Sequence, residues 1–520
     1  MAGESVPLPR NRASFTFHDL VTITAGSAMR ASTEPLVGVS TDTRSLAAGN
    51  VFVALRGPNF DGHQYVDEAI RRGAAAIVVQ APLPTPPRVG VVRVADTTRA
   101  LGLLGRAHRR RWSARNTGTP RTLIAVAGSA GKTTTRRAIA TLLGHLGARV
   151  HYAAGNFNNA IGIPLVLLGL EDEHDTAVIE IGTSEPGDVA YGVELTQPDV
   201  GVLTLVAMEH GEGLGSLDDI TREEGTLLAG LLPGATAIVN GDDARAAAQL
   251  FRSPAERWVL YGKAKHADVR LALRSAQGLR GSQLALTLRN DGRRSVRDGA
   301  ASEVSFTIET PLLGEAGAYA TVAAVAVATT VRSLAARLTS ETMTAAFSAL
   351  AATRDAGRLV PQELADGVVL LDDSYNANAA SVAAGISAAQ EIAQHFGRRL
   401  VLVLGEMREL GRFAAAEHDA VADMVLHARP TRVIAVSGDA ARIAQHACDG
   451  GLDAVFAADA ASAQPLVLDT LRPGDVVLVK GSRGVGLDVL VRAIIADRGP
   501  HLCFTNYFIR CTSRPRGSGS

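Results

Sequence analysis

The chain has little cysteine: three residues in 520, at Cys448, Cys503 and Cys511. Their spacing matches no zinc site, and a disulfide framework does not suit a chain of this length. The scarcity fits a reducing cytoplasm. An excess of charge is also missing, since 52 Lys plus Arg balance 52 Asp plus Glu. Without a global field to draw nucleic acid or an acidic membrane, an anionic ligand has to be met by local basic groups and backbone N–H donors. Residues 1–20 lack the apolar run of a secretory signal. The most apolar stretch, 316–331, is Ala- and Thr-rich and too short to span a bilayer, so it reads as a buried helix. No internal repeat is evident. With 47% hydrophobic and 20% charged residues, the composition is that of a soluble globular protein of two to four domains.

What is present alternates between strand and helix. Residues 51–55 read as a strand, 65–73 have helical spacing, and 74–79 read as a second, buried strand, giving a small α/β unit over 37–79. A helix over 98–112 ends in the basic cluster His108-Arg109-Arg110-Arg111, and the Asn, Gly and Pro of 113–121 mark a boundary. Residues 122–127 form a continuous apolar strand before a Gly-rich turn and a helix. Apolar runs at 177–181, 200–206 and 235–240 extend the pattern of a parallel sheet covered on both faces. The polar, Arg- and Gly-rich stretch 271–308 reads as strands and loops at the domain edge. A second boundary lies near 352–357. Strands at 368–371, 400–404, 432–436 and 476–479 then form a further α/β unit resembling a doubly wound sheet. The basic, Ser- and Gly-rich tail after residue 500 reads as disordered.

The strongest chemical signal is Gly128-Ser129-Ala130-Gly131-Lys132-Thr133-Thr134, between an apolar strand and a helix. Glycines let the backbone approach phosphate oxygens, and the N–H groups of the helix start point at the anion. Lys132 is suited to the β/γ-phosphates and the Thr133 hydroxyl to Mg²⁺. The pattern is a shortened phosphate loop, because Val126 stands where the strict form has glycine. Glu180, at the end of the next apolar run, is well placed to hold the same metal. His210, in Met208-Glu209-His210-Gly211-Glu212-Gly213 after another run, is a candidate ligand on the same edge.

These stretches resemble the Mur ligase superfamily, and within it the MurF ligases. Ser40-Thr41-Asp42-Thr43-Arg44, Phe52 to Gly57 and Asp61-Gly62-His63 are similar to its UDP-sugar-binding first domain. Gly155-Asn156-Phe157-Asn158-Asn159 is similar to a substrate loop of the second domain. Asp372-Asp373-Ser374-Tyr375-Asn376-Ala377-Asn378, Leu404 to Gly411 and Val479-Lys480-Gly481-Ser482-Arg483-Gly484 are similar to signatures of the third. The Asp-Asn-Pro-Arg motif of the sibling ligase that adds the third amino acid is absent. The resemblance implies an α/β chain of three domains: 1–115 for the UDP-sugar, 116–355 as the central P-loop parallel-sheet domain, 356–499 as a Rossmann-like C-terminal domain, then the tail 500–520. It implies an ATP- and Mg²⁺-dependent ligase of peptidoglycan synthesis that joins D-alanyl-D-alanine to UDP-N-acetylmuramoyl-tripeptide through an acyl phosphate. Such an enzyme is expected as a cytoplasmic monomer, with no nucleic-acid partner and no membrane insertion.

By the same resemblance, Lys132, His210 and Glu180 are catalytic. Gly128, Ser129, Ala130, Gly131, Lys132, Thr133, Thr134, Arg358 and Asp373 bind ATP. Ser40, Asp42, Thr43, Arg44, Asn156, Asn158, Asn159, Tyr375, Asn376 and Asn378 bind substrate, and Thr133, Glu180, His210 and Glu224 hold metal. Each polar group also has a plainer reading: Asp42 and Arg44 as a surface ion pair, the asparagines as turn formers. Three positions depart from the family. Glu224 stands where a carbamate-forming lysine is usual, and a permanent carboxylate there is expected to serve without CO₂. Ala316, Gly317 and Ala320 replace polar residues near the adenine, leaving Tyr319 to stack on it. Ala379 replaces a proline. These departures keep two alternatives open: a related ligase with another acceptor, and a weakly catalytic nucleotide-binding scaffold.

Overall fold

The computed structural model describes residues 9–499, except 59, 84–87, 116–117, 119, 154, 290–302 and 353–354; of Arg332 only the backbone is described. The expected tail, and parts of the expected boundaries and of the polar stretch 271–308, lie outside the described residues.

Three principal sheets succeed one another. The first runs Ser27–Arg30, Gly90–Arg93, Ala76–Val79, Val51–Val53, Val39–Ser40, parallel except at the Ser27–Arg30 edge. The helix Thr97–Ala114 joins it to the second. Asp96 caps that helix by accepting from the amides of Thr98 and Arg99. Its basic residues are structural. Arg109 is buried and donates to Thr196 O, Gln197 O and Asp199, while Arg99 and Arg106 both pair with Glu194. Gly105 permits the close approach, since a Cβ there would lie 2.9 Å from Pro164 Cα.

The second sheet has nine strands in the order Val150–His151, Thr176–Glu180, Thr122–Ala127, Val200–Leu203, Thr236–Asn240, Arg257–Gly262, Val269–Ala276, Ser282–Arg289, Glu303–Thr310. The pairing is parallel as far as Val269–Ala276 and antiparallel beyond it. Inner strands are buried except at a first residue such as Thr122, as expected of a sheet covered on both faces, whereas Ser282–Arg289 alternates buried and half-buried residues. The Ala-rich run is the buried helix Gly314–Thr330, packed on Lys132–His145. One expected strand is shorter than its apolar run: 200–206 leaves the sheet after Leu203, because Leu205 O turns to accept from Ser129 N.

The third sheet runs Val360–Glu363, Val369–Asp373, Val476–Lys480, Leu400–Gly405, Arg432–Val436, Ala454–Ala457, with only its first pair antiparallel. The chain leaves a gap after Val369–Asp373 that Val476–Lys480 later fills, so loops from distant segments meet at one edge. The largest hydrophobic cluster takes side chains from both the second and third sheets. Among the described residues no helix is long and apolar enough to cross a membrane.

Candidate active site between two sheets

The parallel strands of the second sheet deliver the site with their C-terminal ends, where open α/β sheets bind ligands. Thr122–Ala127 runs into Gly128, whose φ of 125° and crowded surroundings exclude a side chain: a Cβ would lie 2.2 Å from Thr204 Oγ1. Gly131, at φ 82°, caps the helix Lys132–His145. The amides of that first turn have no acceptor within the helix and point outward with the positive end of its dipole. The loop is laced to its neighbour, since Ala207 N donates to Ser129 Oγ at 3.0 Å and Thr204 Oγ1 to Ala130 O at 2.7 Å.

Lys132 Nζ donates to Gly128 O at 2.5 Å and faces Glu209 at 3.4 Å and Glu224 at 4.0 Å. Burial pushes this ammonium down, but Glu209, Glu224 and Glu180 together outweigh it and hold Lys132 above its ordinary value. Burial also pushes the Glu209 and Glu224 carboxyls up, against the pull of Lys132. At the next strand end, Glu180 accepts from Thr133 Oγ1 at 2.9 Å and from Asn158 Nδ2 at 2.8 Å, with Arg136 at 3.9 Å. Asn159 Oδ1 accepts from Gly162 N and starts the helix Gly162–Leu168.

The third sheet supplies the opposite wall. Asp373 accepts from Leu359 N at 3.1 Å and pairs with Lys480 at 2.7 Å; Lys480 also donates to Asn376 O at 3.0 Å. Burial pushes Asp373 up, opposed by Lys480 and then Arg358. Arg358 lies over the Tyr375 ring, 4.1 Å from its centroid. Asn378 caps the helix Ala379–Phe396 through Ser381 N, and its Nδ2 reaches across to Ser129 O at 3.1 Å and Glu209 at 3.4 Å. His210, in a left-handed conformation at φ 48°, meets Glu409 at 2.5 Å, and Glu212 N donates to Glu409 O at 3.0 Å.

Between these walls lies a cavity of about 630 Å³. The structure brings to it Ser129 to Thr134, Asn156, Asn158, Asn159, Glu180, His210, Arg358, Asp373, Tyr375, Asn376 and Asn378. Gly128 shapes the loop behind it. Tyr319 lines the cavity together with Ala316 and Ala320, its hydroxyl donating to Asp242 at 2.7 Å. Ser40, Asp42, Thr43 and Arg44 do not line it. Asp42 pairs with an Arg44 side chain that is 84% exposed.

Glu224 is the main departure from the expected ligand set. It is fully buried beneath the loop, with Oε2 accepting from Gly128 N at 2.7 Å, and does not reach the cavity wall. The short side chain satisfies the nearest buried amide instead of extending past it. Two residues of the site are missing from the sequence-based assignment. Glu209 lies inside the motif that singled out His210, and the imidazole took the role. Lys480 is one of only four lysines in the chain, with Lys132, Lys263 and Lys265, a scarcity that could have marked it.

Comparison with known proteins bears on this geometry. Residues 35–109 match the Mur ligase family, catalytic domain; 126–328 match the Mur ligase middle domain; and 357–483 match the Mur ligase, glutamate ligase domain. The UDP-N-acetylmuramoyl-tripeptide–D-alanyl-D-alanine ligase of Escherichia coli is 33% identical over 88% of this chain and 94% of its own. The chain belongs to the Mur ligase family. The Bacillus subtilis ligase of the same name is 30% identical over 88% of this chain and 93% of its own. A crystal structure of MurF from Acinetobacter baumannii superposes with a TM-score of 0.79 at 26% identity, over 94% of this chain and 100% of that one. The MurF ligase of Thermotoga maritima in complex with ADP shares the fold, with a TM-score of 0.69 at 23% identity, over 88% of this chain and 97% of that one.

Among the described residues of this Mur ligase, no three His, Cys, Asp or Glu side chains stand close enough to enclose a metal by themselves. Thr133 and Glu180 offer a hydroxyl and a carboxylate beside the phosphate loop. That donor set fits Mg²⁺, which takes one or two protein oxygens and completes its shell from phosphates and water.

Proposed function

We propose that the chain is an ATP-dependent ligase that joins D-alanyl-D-alanine to UDP-N-acetylmuramoyl-tripeptide. The observation that carries this reading is one cavity with a phosphate loop on one wall and Arg358, Asp373 and Asn378 on the other. Relatives of that name, aligned over most of both chains, support the choice of substrates. A carboxylate oxygen of the tripeptide attacks the γ-phosphorus of ATP, and ADP leaves. The acceptor nitrogen then attacks the acyl carbon; the tetrahedral intermediate expels phosphate, and the nitrogen loses a proton to give the amide.

The first step brings two anions together. The amides of the loop and Lys132 neutralise that charge where it develops, in a site screened from water. Thr133 and Glu180 would hold Mg²⁺, which supplies further positive charge at the phosphates. Asn158 and Arg136 hold the Glu180 carboxylate in place. Arg358 and Asp373 take the nucleotide from the third domain, and closing the two walls excludes the water that would hydrolyse an acyl phosphate. Domain boundaries near residues 115 and 355, between the three sheets, suit this closure.

Phosphate release from ATP with the UDP-linked tripeptide, with and without D-alanyl-D-alanine, tests the reading. Release that requires the dipeptide, with a UDP-muramoyl pentapeptide product by mass, is the expected result. ATP binding without release under any of these conditions would overturn it.

A further inference from the structure

The helix Ala379–Phe396 meets the second domain at both of its ends. At its start, Asn378 reaches Ser129 O, and Ala380, Ser381, Ala384 and Gly385 of the first turns line the cavity. Gly385 also backs the charged pair of this wall, since a Cβ there would lie 3.3 Å from both Asp373 Oδ2 and Lys480 Cδ. At its other end lies the hairpin of strands Val269–Ala276 and Ser282–Arg289, in the antiparallel part of the second sheet. Arg274 of that hairpin meets Glu391 in a two-pronged pair, Nη1 to Oε2 at 2.7 Å and Nη2 to Oε1 at 2.7 Å. Arg274 Nε donates to Ser282 Oγ at 3.0 Å, so the guanidinium is oriented by its own hairpin. Both side chains are mostly buried, with 14% and 28% exposed. The hairpin turn abuts the helix as well: at Gly278, whose φ is 59°, a Cβ would lie 2.8 Å from His395 Cδ2. Neither Arg274 nor Glu391 lines the cavity.

Near that end the helix crosses the start of Gly314–Thr330 through small residues, Gly314 against Ala388. Helices are keyed by side-chain ridges set into grooves, and Gly and Ala offer little of either. The directional contact is the guanidinium fork, which matches one orientation of a carboxylate. At about 1.5 Å per residue, roughly 20 Å of helix separates Glu391 from Asn378, so a small tilt at the fork becomes a larger displacement at the site. We propose that Arg274 and Glu391 are a remote positioning pair, which seats the third domain's wall against the phosphate loop and so sets how Asp373 and Arg358 meet the nucleotide. This role rests on the ligase reading above, and the pair touches no reacting atom. Without the fork the wall takes tilted seats, and only the aligned fraction holds ATP from both sides. The apparent affinity falls in proportion to that fraction, while saturating nucleotide restores the aligned seat. Loss of the pair therefore acts on KM for ATP and spares kcat.

The test measures ligation at varied ATP, ADP affinity by calorimetry and thermal melting for wild type, R274A, E391Q and R274A/E391A. R274A should raise KM for ATP and Kd for ADP about fivefold, the bias that one directional contact supplies, with kcat kept within about twofold. The double variant should be no worse than R274A, because the two side chains act as one. A lower melting temperature with wild-type KM and Kd would make the pair merely structural and overturn the inference, and additive losses in the double variant would overturn it too. E391Q keeps the shape of the side chain and gives up its charge, so it carries the same comparison if R274A does not fold. No ligation by wild type would overturn the ligase reading, and ADP affinity would still decide the role of the pair.

Discussion

Lys132 faces the carboxyl groups of Glu209 and Glu224 at the phosphate loop. ATP has to draw the ammonium from this pair. Replacing Lys132 by alanine removes the cation and leaves two buried acids facing each other. Ligation should fall on the order of 10²–10³-fold, the usual loss when one donor to a developing charge is removed; a fall of less than tenfold in phosphate release would show that the loop amides suffice. Glu224 makes a separate prediction. Its Oε2 satisfies the buried Gly128 amide, so Glu224→Ala should cost about 1–3 kcal/mol of stability by leaving a donor unpaired. Glu224→Gln keeps an acceptor there and should recover most of the loss in thermal melting. With no lysine at position 224 to form a carbamate, ligation should also be indifferent to added bicarbonate; stimulation by bicarbonate would point to another residue. The Asp42–Arg44 pair, expected at the UDP-sugar of the first domain, is exposed and lies away from the central cavity.

At the scale of elements, the helix Thr97–Ala114, which ends in a basic cluster, fixes the second domain to the first. Tertiary structure spends Arg109 on the carbonyls that end the helix Asp188–Thr196, a use no local pattern encodes. Within the second domain, strand Val150–His151 meets the helix Gly162–Leu168, where His151 Nε2 donates to Val166 O at 2.8 Å beside His174. Burial pushes His151 down to about 4, with the neighbouring His174 and His108 adding to the effect. The folded state thus favours the neutral ring. As pH falls below about 6.5, the ordinary histidine value, the unfolded chain gains a proton that the fold refuses. Stability is lost down to about pH 4, where the folded ring also protonates and the loss levels off. Denaturant melts across this window should be flatter for His151→Gln than for wild type, and parallel curves would rule the residue out as an acid-sensitive point.

For the whole molecule, the second and third domains meet directly across the site. Asn378 to Ser129 and Glu409 to His210 and Glu212 bridge the walls of the site. Glu409 is well exposed, so its contact with His210 contributes no more than about 1 kcal/mol, which is about a fivefold bias toward closure. Glu409→Ala should therefore enlarge the radius from small-angle scattering only modestly without nucleotide, with ATP analogue restoring the compact form. An unchanged radius in both states would place the closing force in the apolar contact of the third domain with the second.

The sequence by itself determined the alternation of strands and helices, the three-domain order and the phosphate loop. These depend on local periodicity, on glycines and on a strand–turn–helix context, all encoded within a few residues. It also placed Glu180 and His210 after apolar runs and, through the resemblance, Arg358 and Asp373 at the nucleotide; one cavity gathers all four. Only the tertiary structure decided which way each side chain turns. Glu224 turns inward because Gly128 offers an unpaired amide within reach. Lys480 enters the site because its strand fills the gap between Val369–Asp373 and Leu400–Gly405 and so meets Asn376, 104 residues away in the chain. Glu209 becomes a buried partner of Lys132 because two loops from separate strands are laced together. Long-range pairing, burial and hydrogen-bond completion are properties of the assembled fold, and no window of sequence contains them.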